Sequence, residues 1–402
     1  MESELPENVR HPINHRLNRF ETRCAVLTLL MAGLIVYGSL YPFEFYLPQD
    51  SIGALRSLLS TWRAWTGRGD IIANIMLYVP LGAFAVCATN RINAVRRIAG
   101  AVLAGTALSF AMELAQYFVA FRFSSMADVY CASIGMLLGA LAGCALSGKT
   151  ELNWLADLSA RPFVAMLLVC WLGYRLYPFQ PVINLHKYWD ALKPLVLFPQ
   201  LSAMSVFRHL VAWFVIAQLL DTTLGRKRGK LAIVLLFSAV LVARVLIDGL
   251  SLTASEVCGG ILAMMIWLPA LSRYQGRLAV ITAMFAFSVI LQGLEPFQFS
   301  NVARPFGWMP FRSLLQSPIN TAIVSFFEKV FNYGCLIWLL VQAGLSSRTA
   351  AALGGALVLG LRVTQVYLPG RSAEITDFVM LLIIAGIMHL LGTDSKFGNE
   401  LS

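Results

Sequence analysis

Charged residues are scarce in this chain: they make up 13% of its 402 residues, whereas hydrophobic residues make up 58%. An ordinary soluble domain carries about 25% charged residues, because it needs them to cover its surface. The mean hydropathy of +0.70 instead favours lipid as the surrounding solvent. The net charge of +10 comes from short basic blocks between apolar runs. Without a domain-sized basic patch, we expect no nucleic-acid partner.

Chemical motifs are missing as well. The chain has no Gly-rich nucleotide loop, no Gly-x-Ser-x-Gly elbow and no Cys/His pattern with metal-ligand spacing. Its seven cysteines all stand inside apolar runs, which indicates small buried residues and not a disulfide framework. The sequence therefore predicts no metal site and no cofactor. The apolar stretch from Cys24 to Leu40 lacks a cleavage site, which predicts an uncleaved first span.

Apolar runs long enough to cross a bilayer follow one another along the whole chain. A spanning helix needs about 20 mostly apolar residues. The predicted fold class is therefore all-α integral membrane, with about twelve transmembrane helices. The candidate spans are 24–40, 71–88, 98–119, 127–146, 162–176, 205–221, 230–247, 255–271, 277–294, 319–342, 349–367 and 374–392.

Basic residues between the spans predict the orientation. Arg96 and Arg97 follow the second span, and the block 226–230 follows the sixth. Because cytoplasmic loops carry an excess of Lys and Arg, these loops are expected in the cytoplasm. An even number of spans then places both termini there, and the long loops at about 41–70, 177–204 and 295–318 face outward. We expect a multi-pass protein of the bacterial cytoplasmic membrane.

Two motifs indicate an internal repeat of three tandem four-helix modules in the same orientation. The long loops begin with Tyr41-Pro42-Phe43-Glu44, Tyr177-Pro178-Phe179-Gln180 and Glu295-Pro296-Phe297-Gln298. A Gln-x5-Arg-x5-Asp motif joins the third and fourth helices, as Gln116, Arg122 and Asp128 in the first module and as Gln365, Arg371 and Asp377 in the third. In the second module Arg244 and Glu256 hold the outer positions, and Leu250 replaces the arginine. The predicted modules are 24–146, 147–272 and 273–392, between an N-terminal segment 1–23 and a tail 393–402.

Polar residues near membrane spans are the candidates for a site, because they are costly in lipid. The spacing of Gln116, Arg122 and Asp128 predicts that they meet at the outer face, with Arg122 contacting Asp128 or Glu113. A structural role stays open, because an Arg–Asp pair can stabilise a turn and an interior Gln can hydrogen-bond between helices. Glu328 and Lys329 are expected to neutralise each other or neighbouring helices. The candidate ligand-binding residues are Asn74, Glu113, Gln116, Arg122, Asp128, Gln365, Arg371 and Asp377.

The first module resembles the VanZ-like family of small membrane proteins. The resemblance rests on the order of Tyr41-Pro42-Phe43, Asn74-Ile75 with Pro80-Leu81-Gly82, Glu113-x-x-Gln116, and Arg122 followed by Asp128 and Gly135. It implies a four-helix membrane module of the cell envelope, in a family named for a role in glycopeptide resistance. This chain has Ser125, Ala127 and Ala132 where family members often carry further acids and an Asn.

Four functions remain open at this point. The first is an outward polar cluster that binds a lipid-linked or glycan-related anionic molecule, with membrane lipid as the partner. The second is a membrane enzyme acting on a lipid-linked envelope precursor, with Glu113 or Asp128 as general acid or base. The third is a secondary transporter, although three parallel modules differ from the two-fold repeat common in transporters. The fourth is a structural or assembly subunit.

Overall fold

The computed structural model describes residues 7–41, 43–48, 53–64, 68–89, 93–120, 122–147, 161–182 and 184–391. It is all-helical, with 76% helix and no strand in the described part, which confirms the predicted fold class at this level. The helices form two compact units, Met1–Glu151 and Leu152–Ser402. The first contains the first predicted module, and the second contains the third predicted module and the second from residue 152 onward. The predicted tail 393–402 and the loop residue Pro42 lie outside the described residues.

In the first compact unit, α3 (Arg68–Ala88) packs against the other three long helices, α1 (Glu7–Leu40), α4 (Ala94–Gln116) and α5 (Met126–Ser147). Glycines allow the closest of these approaches, between α3 and α5. A Cβ atom on Gly139 would lie 1.9 Å from the carbonyl oxygen of Val79, and one on Gly135 would lie 2.5 Å from that of Ile75. Small residues spaced by four are a common way for membrane helices to approach closely. The helices are α1 (Glu7–Leu40), α2 (Ala54–Ser60), α3 (Arg68–Ala88), α4 (Ala94–Gln116) and α5 (Met126–Ser147).

The second compact unit has a continuous apolar core. Four of its tryptophans are fully buried, and the Trp171 and Trp213 rings meet edge to face with centroids 4.9 Å apart. Polar side chains cap several helices; Thr253, for example, accepts from the Glu256 N–H. The helices are α6 (Pro162–Leu176), α7 (Leu185–Val196), α8 (Ala203–Leu224), α9 (Arg226–Leu246), α10 (Ala254–Trp267), α11 (Arg277–Leu294), α12 (Arg312–Gln316), α13 (Ile319–Gln342), α14 (Ser347–Thr364) and α15 (Thr376–Leu390), with 3-10 turns at Leu271–Arg273 and Gln365–Tyr367.

Eight helices of the described residues are long and apolar enough to cross a membrane. They are Glu21–Leu40, Ala94–Gln116, Met126–Ala145, Ala203–Leu224, Arg226–Leu246, Arg277–Leu294, Ile319–Gln342 and Ser347–Tyr367. Four shorter apolar helices are Asn74–Ala88, Pro162–Leu176, Ala254–Trp267 and Thr376–Leu390. Each predicted span overlaps one of these twelve, but a crossing by the four shorter ones stays a prediction.

Two features differ from the sequence-based expectation. The first helix begins at Glu7, well before the apolar run that starts at Cys24. A helix satisfies its backbone hydrogen bonds internally, so it can extend beyond the apolar segment into polar sequence. The long loops contain the short helices α2, α7 and α12.

Candidate functional site

Each long loop begins with the same backbone corner, which we call the Pro-Phe corner. The phenylalanine of each corner has a positive φ, 67° at Phe43, 59° at Phe179 and 62° at Phe297. This left-handed conformation is uncommon for a residue with a side chain. Each N–H donates to the carbonyl three residues earlier, from Phe43 to Leu40 at 2.8 Å, from Phe179 to Leu176 at 2.9 Å and from Phe297 to Leu294 at 2.8 Å.

A short antiparallel contact then joins each corner segment to the residues that follow the third helix of its module. The Tyr46 N–H donates to the Phe118 carbonyl at 2.9 Å, and the Ala120 N–H donates to the Glu44 carbonyl at 2.9 Å. The second module forms the same two hydrogen bonds at its matching positions. The third module forms one of them, from the Ser300 N–H to the Tyr367 carbonyl at 2.7 Å. The second hydrogen bond cannot form in the third module, because the position that matches Ala120 is occupied by Pro369, and proline has no N–H.

The motif arginines hold the corners of the first and third modules through main-chain carbonyls. Arg122 donates from Nε to Tyr41 O at 3.1 Å and from Nη2 to Gly38 O at 2.9 Å. Arg371 donates in the same way to Glu295 O at 2.8 Å and Gln292 O at 3.0 Å. These bonds go to carbonyls and not to the carboxylates that the spacing predicted. Burial lowers the pKa of Arg122, and the charge of nearby Glu113 opposes that shift.

In the second module, the acid that begins the fourth helix lies between two arginines. Glu256 is buried and forms ion pairs with Arg175 of α6 and Arg244 of α9, the latter with an Nε–Oε2 distance of 3.2 Å. Arg244 also donates to the carbonyls of Arg175 and Ser251. Both terminal nitrogens of Arg244 therefore donate to main-chain carbonyls of the protein.

The third module places Asp377, which is fully buried, between Lys329 of α13 and Arg362 of α14. The Lys329 Nζ lies 2.8 Å from Asp377 Oδ1. Arg362 also donates to Tyr333 Oη at 3.1 Å and to Gln365 Oε1 at 2.6 Å. Two cations therefore share one carboxylate, which leaves one formal positive charge in the cluster.

A polar cavity of about 320 Å³ lies beside this cluster, entirely within the third module. Lys329, Arg362 and Arg371 line it together with Glu328, which accepts from Gln292 Nε2 at 2.7 Å. The remaining polar lining comes from Ser313, Ser317, Thr321, Ser325, Asn332, Tyr333, Gln365 and Ser372. At a rise of about 1.5 Å per residue, the cavity follows α13 for about 20 Å between its start and Tyr333. It reaches from the loop residues into the helix bundle.

Apart from Arg122, the candidate residues of the first module are neutral or acidic, unlike the cations that line the cavity of the third module. Glu113 is buried, and its Oε2 accepts from the Ser125 N–H at 2.8 Å. Asp128 in the first turn of α5 interacts electrostatically with Glu113, and Gln116 is buried at the end of α4. Asn74 is half-buried on α3. By sequence spacing, Asn74 matches Lys329, since each stands four residues before a tyrosine, and Glu113 matches Arg362, since each stands three residues before the motif glutamine.

The structure brings some candidates together and adds others. Gln365 and Arg371 line the cavity, and Asp377 lies directly behind its cations. Sequence reasoning did not single out Arg362. A comparison of Glu113-x-x-Gln116 with Arg362-x-x-Gln365 would have found it, because both stand three residues before the motif glutamine. Lys329 was expected to neutralise a neighbour, and its partner is Asp377 of another helix.

The apolar helices and their buried charged clusters define a polytopic helical membrane protein. Residues 24–147, which correspond to the first module, match the family model VanZ-LLP1, described as VanZ/LLP1. The match confirms the VanZ-like resemblance of that module and fits a membrane protein of the VanZ family. No curated protein and no solved structure matches the chain.

Proposed function

We propose that this chain binds a lipid-linked or glycan-related anionic molecule at the outward face of the bacterial cytoplasmic membrane. Its twelve spans form three tandem modules in one orientation, with both termini in the cytoplasm and the three Pro-Phe corners outside. The headgroup of the ligand occupies the polar cavity of the third module.

The recurring corner supports the tandem arrangement. The same phenylalanine conformation and the same three-residue hydrogen bond occur at all three corners. Arg122 and Arg371 donate to equivalent carbonyls with equivalent nitrogen atoms. Such detailed agreement between segments far apart in sequence is expected of diverged copies of one module.

The cavity is the observation that carries the binding proposal. Ionisable residues within membrane bundles are expensive and usually pair with one another or mark a ligand path. Here three cations, Lys329, Arg362 and Arg371, line the cavity, whereas the nearby carboxylates are Glu328 in the lining and Asp377 behind it, which leaves one formal positive charge. An anion with one charge, such as a phosphodiester, would balance the cluster. Serine, threonine and asparagine side chains along the cavity supply the hydrogen bonds that a phosphate or sugar requires.

A lipid-linked ligand suits the surroundings of this cavity better than a free anion does. The flanking helices expose apolar side chains away from the cavity, including Phe287 on α11, Phe326 on α13 and Leu353 on α14. Exposed apolar residues on spanning helices face lipid tails, so a headgroup in the cavity can keep its own tail in the bilayer. The proposed site is therefore a polar pocket between helices whose outer faces are apolar.

Native mass spectrometry of gently solubilised full-length protein tests the proposal. We expect the wild type to retain an anionic lipid. The Lys329→Met variant should retain at least tenfold less, because the remaining Arg362–Asp377 pair has no surplus charge. Arg244→Met is the matched control, since Arg244 also shares a buried carboxylate with a second cation but does not line the cavity.

The binding proposal is wrong if the wild type carries no anionic lipid, or if Lys329→Met and Arg244→Met reduce retention equally. A separate arm adds inorganic phosphate to delipidated protein. Stabilisation by phosphate but not by anionic lipid would identify the ligand as a free anion.

Labelling of single cysteines in intact cells tests the orientation. Val95 is highly exposed in the first turn of α4, next to the basic residues Arg96 and Arg97 that are predicted to be cytoplasmic. A Val95→Cys variant should resist a membrane-impermeant maleimide until the cells are opened. Phe299→Cys, in an exposed part of the third outward loop, is the positive control and should react with intact cells. Labelling of position 95 in intact cells would show that the orientation is the reverse of the one proposed.

A further inference from the structure

The helix α7 (Leu185–Val196), which lies in the loop of the second module, has an exposed apolar stripe. Leu185, Trp189, Leu192 and Val196 recur at the spacing of one helix face. Leu185 is 84% exposed, Val196 58% and Trp189 44%. The stripe continues beyond the helix through the exposed side chains of Leu197, Phe198 and Leu201. Contiguous exposed apolar surface of this kind marks an interaction site.

A charged stripe runs beside it, about 100° around the helix by the rotation per residue. Asp190 lies 2.6 Å from Lys193 Nζ and 3.6 Å from His186 Nε2. The hydrogen bond from Lys193 lowers the pKa of Asp190. These side chains are substantially exposed, so this face is suited to water and to lipid headgroups.

The third face of α7 attaches the helix to the end of a spanning helix. Lys187 Nζ donates to the carbonyls of Val245 at 3.1 Å and Leu250 at 3.0 Å. Val245 stands in the last turn of α9, one of the helices long and apolar enough to cross the membrane. Ala191 is buried, and its carbonyl accepts from the Leu252 N–H at 2.9 Å. These contacts hold α7 against the C-terminal end of α9 and the loop that follows it.

We propose that α7 and residues 197–201 form an interfacial anchor, with the apolar stripe inserted into the membrane surface beside the C-terminal end of α9. The occupant of the stripe is the lipid of the bilayer that α9 crosses. The arrangement of the three faces supports this assignment. One face packs against the protein, which leaves the apolar face to contact lipid and the charged face to contact water. Helices with a strong apolar face and an adjacent charged face lie in the membrane interface in this way.

Spin-label accessibility in lipid vesicles tests the anchor on the full-length protein. Labelled cysteines would replace single residues of α7 in a background whose seven native cysteines are substituted. At Leu185, Trp189 and Val196, collisions with oxygen should exceed those with a water-soluble nickel chelate. At His186, Asp190 and Lys193 the preference should reverse.

A second measurement avoids the cysteine background. In vesicles of brominated lipid, Trp189→Phe should remove a clearly quenched part of the tryptophan emission. Trp171→Phe is the matched control, because Trp171 is buried in the core and should contribute little quenched emission.

Two results would overturn the anchor. Nickel accessibility at all six labelled positions would make α7 a water-exposed helix. Low accessibility to both reagents along the apolar stripe, with no lipid quenching of Trp189, would mean that a protein surface covers it. Neither result bears on the cavity of the third module, so the anchor and the proposed function can fail separately.

Discussion

The first and third modules share the corner but differ in the charges behind it. Arg122 and Arg371 donate to equivalent carbonyls, so the turn between the third and fourth helices is built alike. Behind it, the first module carries Asn74, Glu113 and Asp128, whereas the third carries Lys329, Arg362 and Asp377. The formal charge of the three residues changes from two negative to one positive.

This comparison separates architecture from chemistry. The motif arginine has its hydrogen bonds on main-chain carbonyls in both modules, which is the role of a structural clamp. The side chains that vary lie on the second and third helices, where they face the motif acid of the third module. A headgroup with one negative charge therefore suits the third module and not the equivalent residues of the first.

The largest expected difference between the modules concerns stability. Asp377→Asn should cost about 3–5 kcal/mol, because it leaves Lys329 and Arg362 without a counter-charge in the bundle. Glu113→Gln should stay within about 1 kcal/mol, because an amide oxygen can still accept from the Ser125 N–H. Thermal unfolding and size-exclusion profiles in detergent measure both. Equal losses would show that the two acids have equivalent environments.

The next largest difference between the first and third modules is expected in ligand retention. Asn74→Ala should leave the amount of co-purified anionic lipid unchanged, whereas Lys329→Met should reduce it at least tenfold, which corresponds to a loss of about 1.4 kcal/mol or more. Both are measured by native mass spectrometry on protein of matched monodispersity. If Asn74→Ala reduces retention and Lys329→Met does not, the lipid belongs to the first module.

The smallest difference is expected at the shared corner. Arg122→Lys and Arg371→Lys should each cost about 1–2 kcal/mol, because an ammonium group cannot reproduce the two-pronged contact with two carbonyls. Melting temperatures should fall by similar amounts in the two variants. If Arg371→Lys lowers the melting temperature and Arg122→Lys leaves it unchanged, the two corners are not equivalent.

The turn motif illustrates how far local spacing predicts a site. Gln-x5-Arg-x5-Asp correctly indicated a helix end, a turn and a helix start in the third module, from Gln365 to Asp377. Spacing alone did not reveal that Arg371 bonds carbonyls at the end of α11 while Asp377 pairs with α13 and α14. The contacts of Arg371 with α11 and of Lys329 with Asp377 join elements that are not neighbours along the chain.

The sequence by itself determined the class of this protein and the places where its polar residues interrupt apolar helices. Composition and hydropathy suffice for that, because a bilayer imposes the same length and polarity requirement on each span. Only the tertiary structure decided that the third module contains a cavity with a surplus cation and that α7 presents an exposed apolar stripe beside the end of α9. Cavities and faces depend on which helices pack together, and packing depends on side-chain shape across many distant positions.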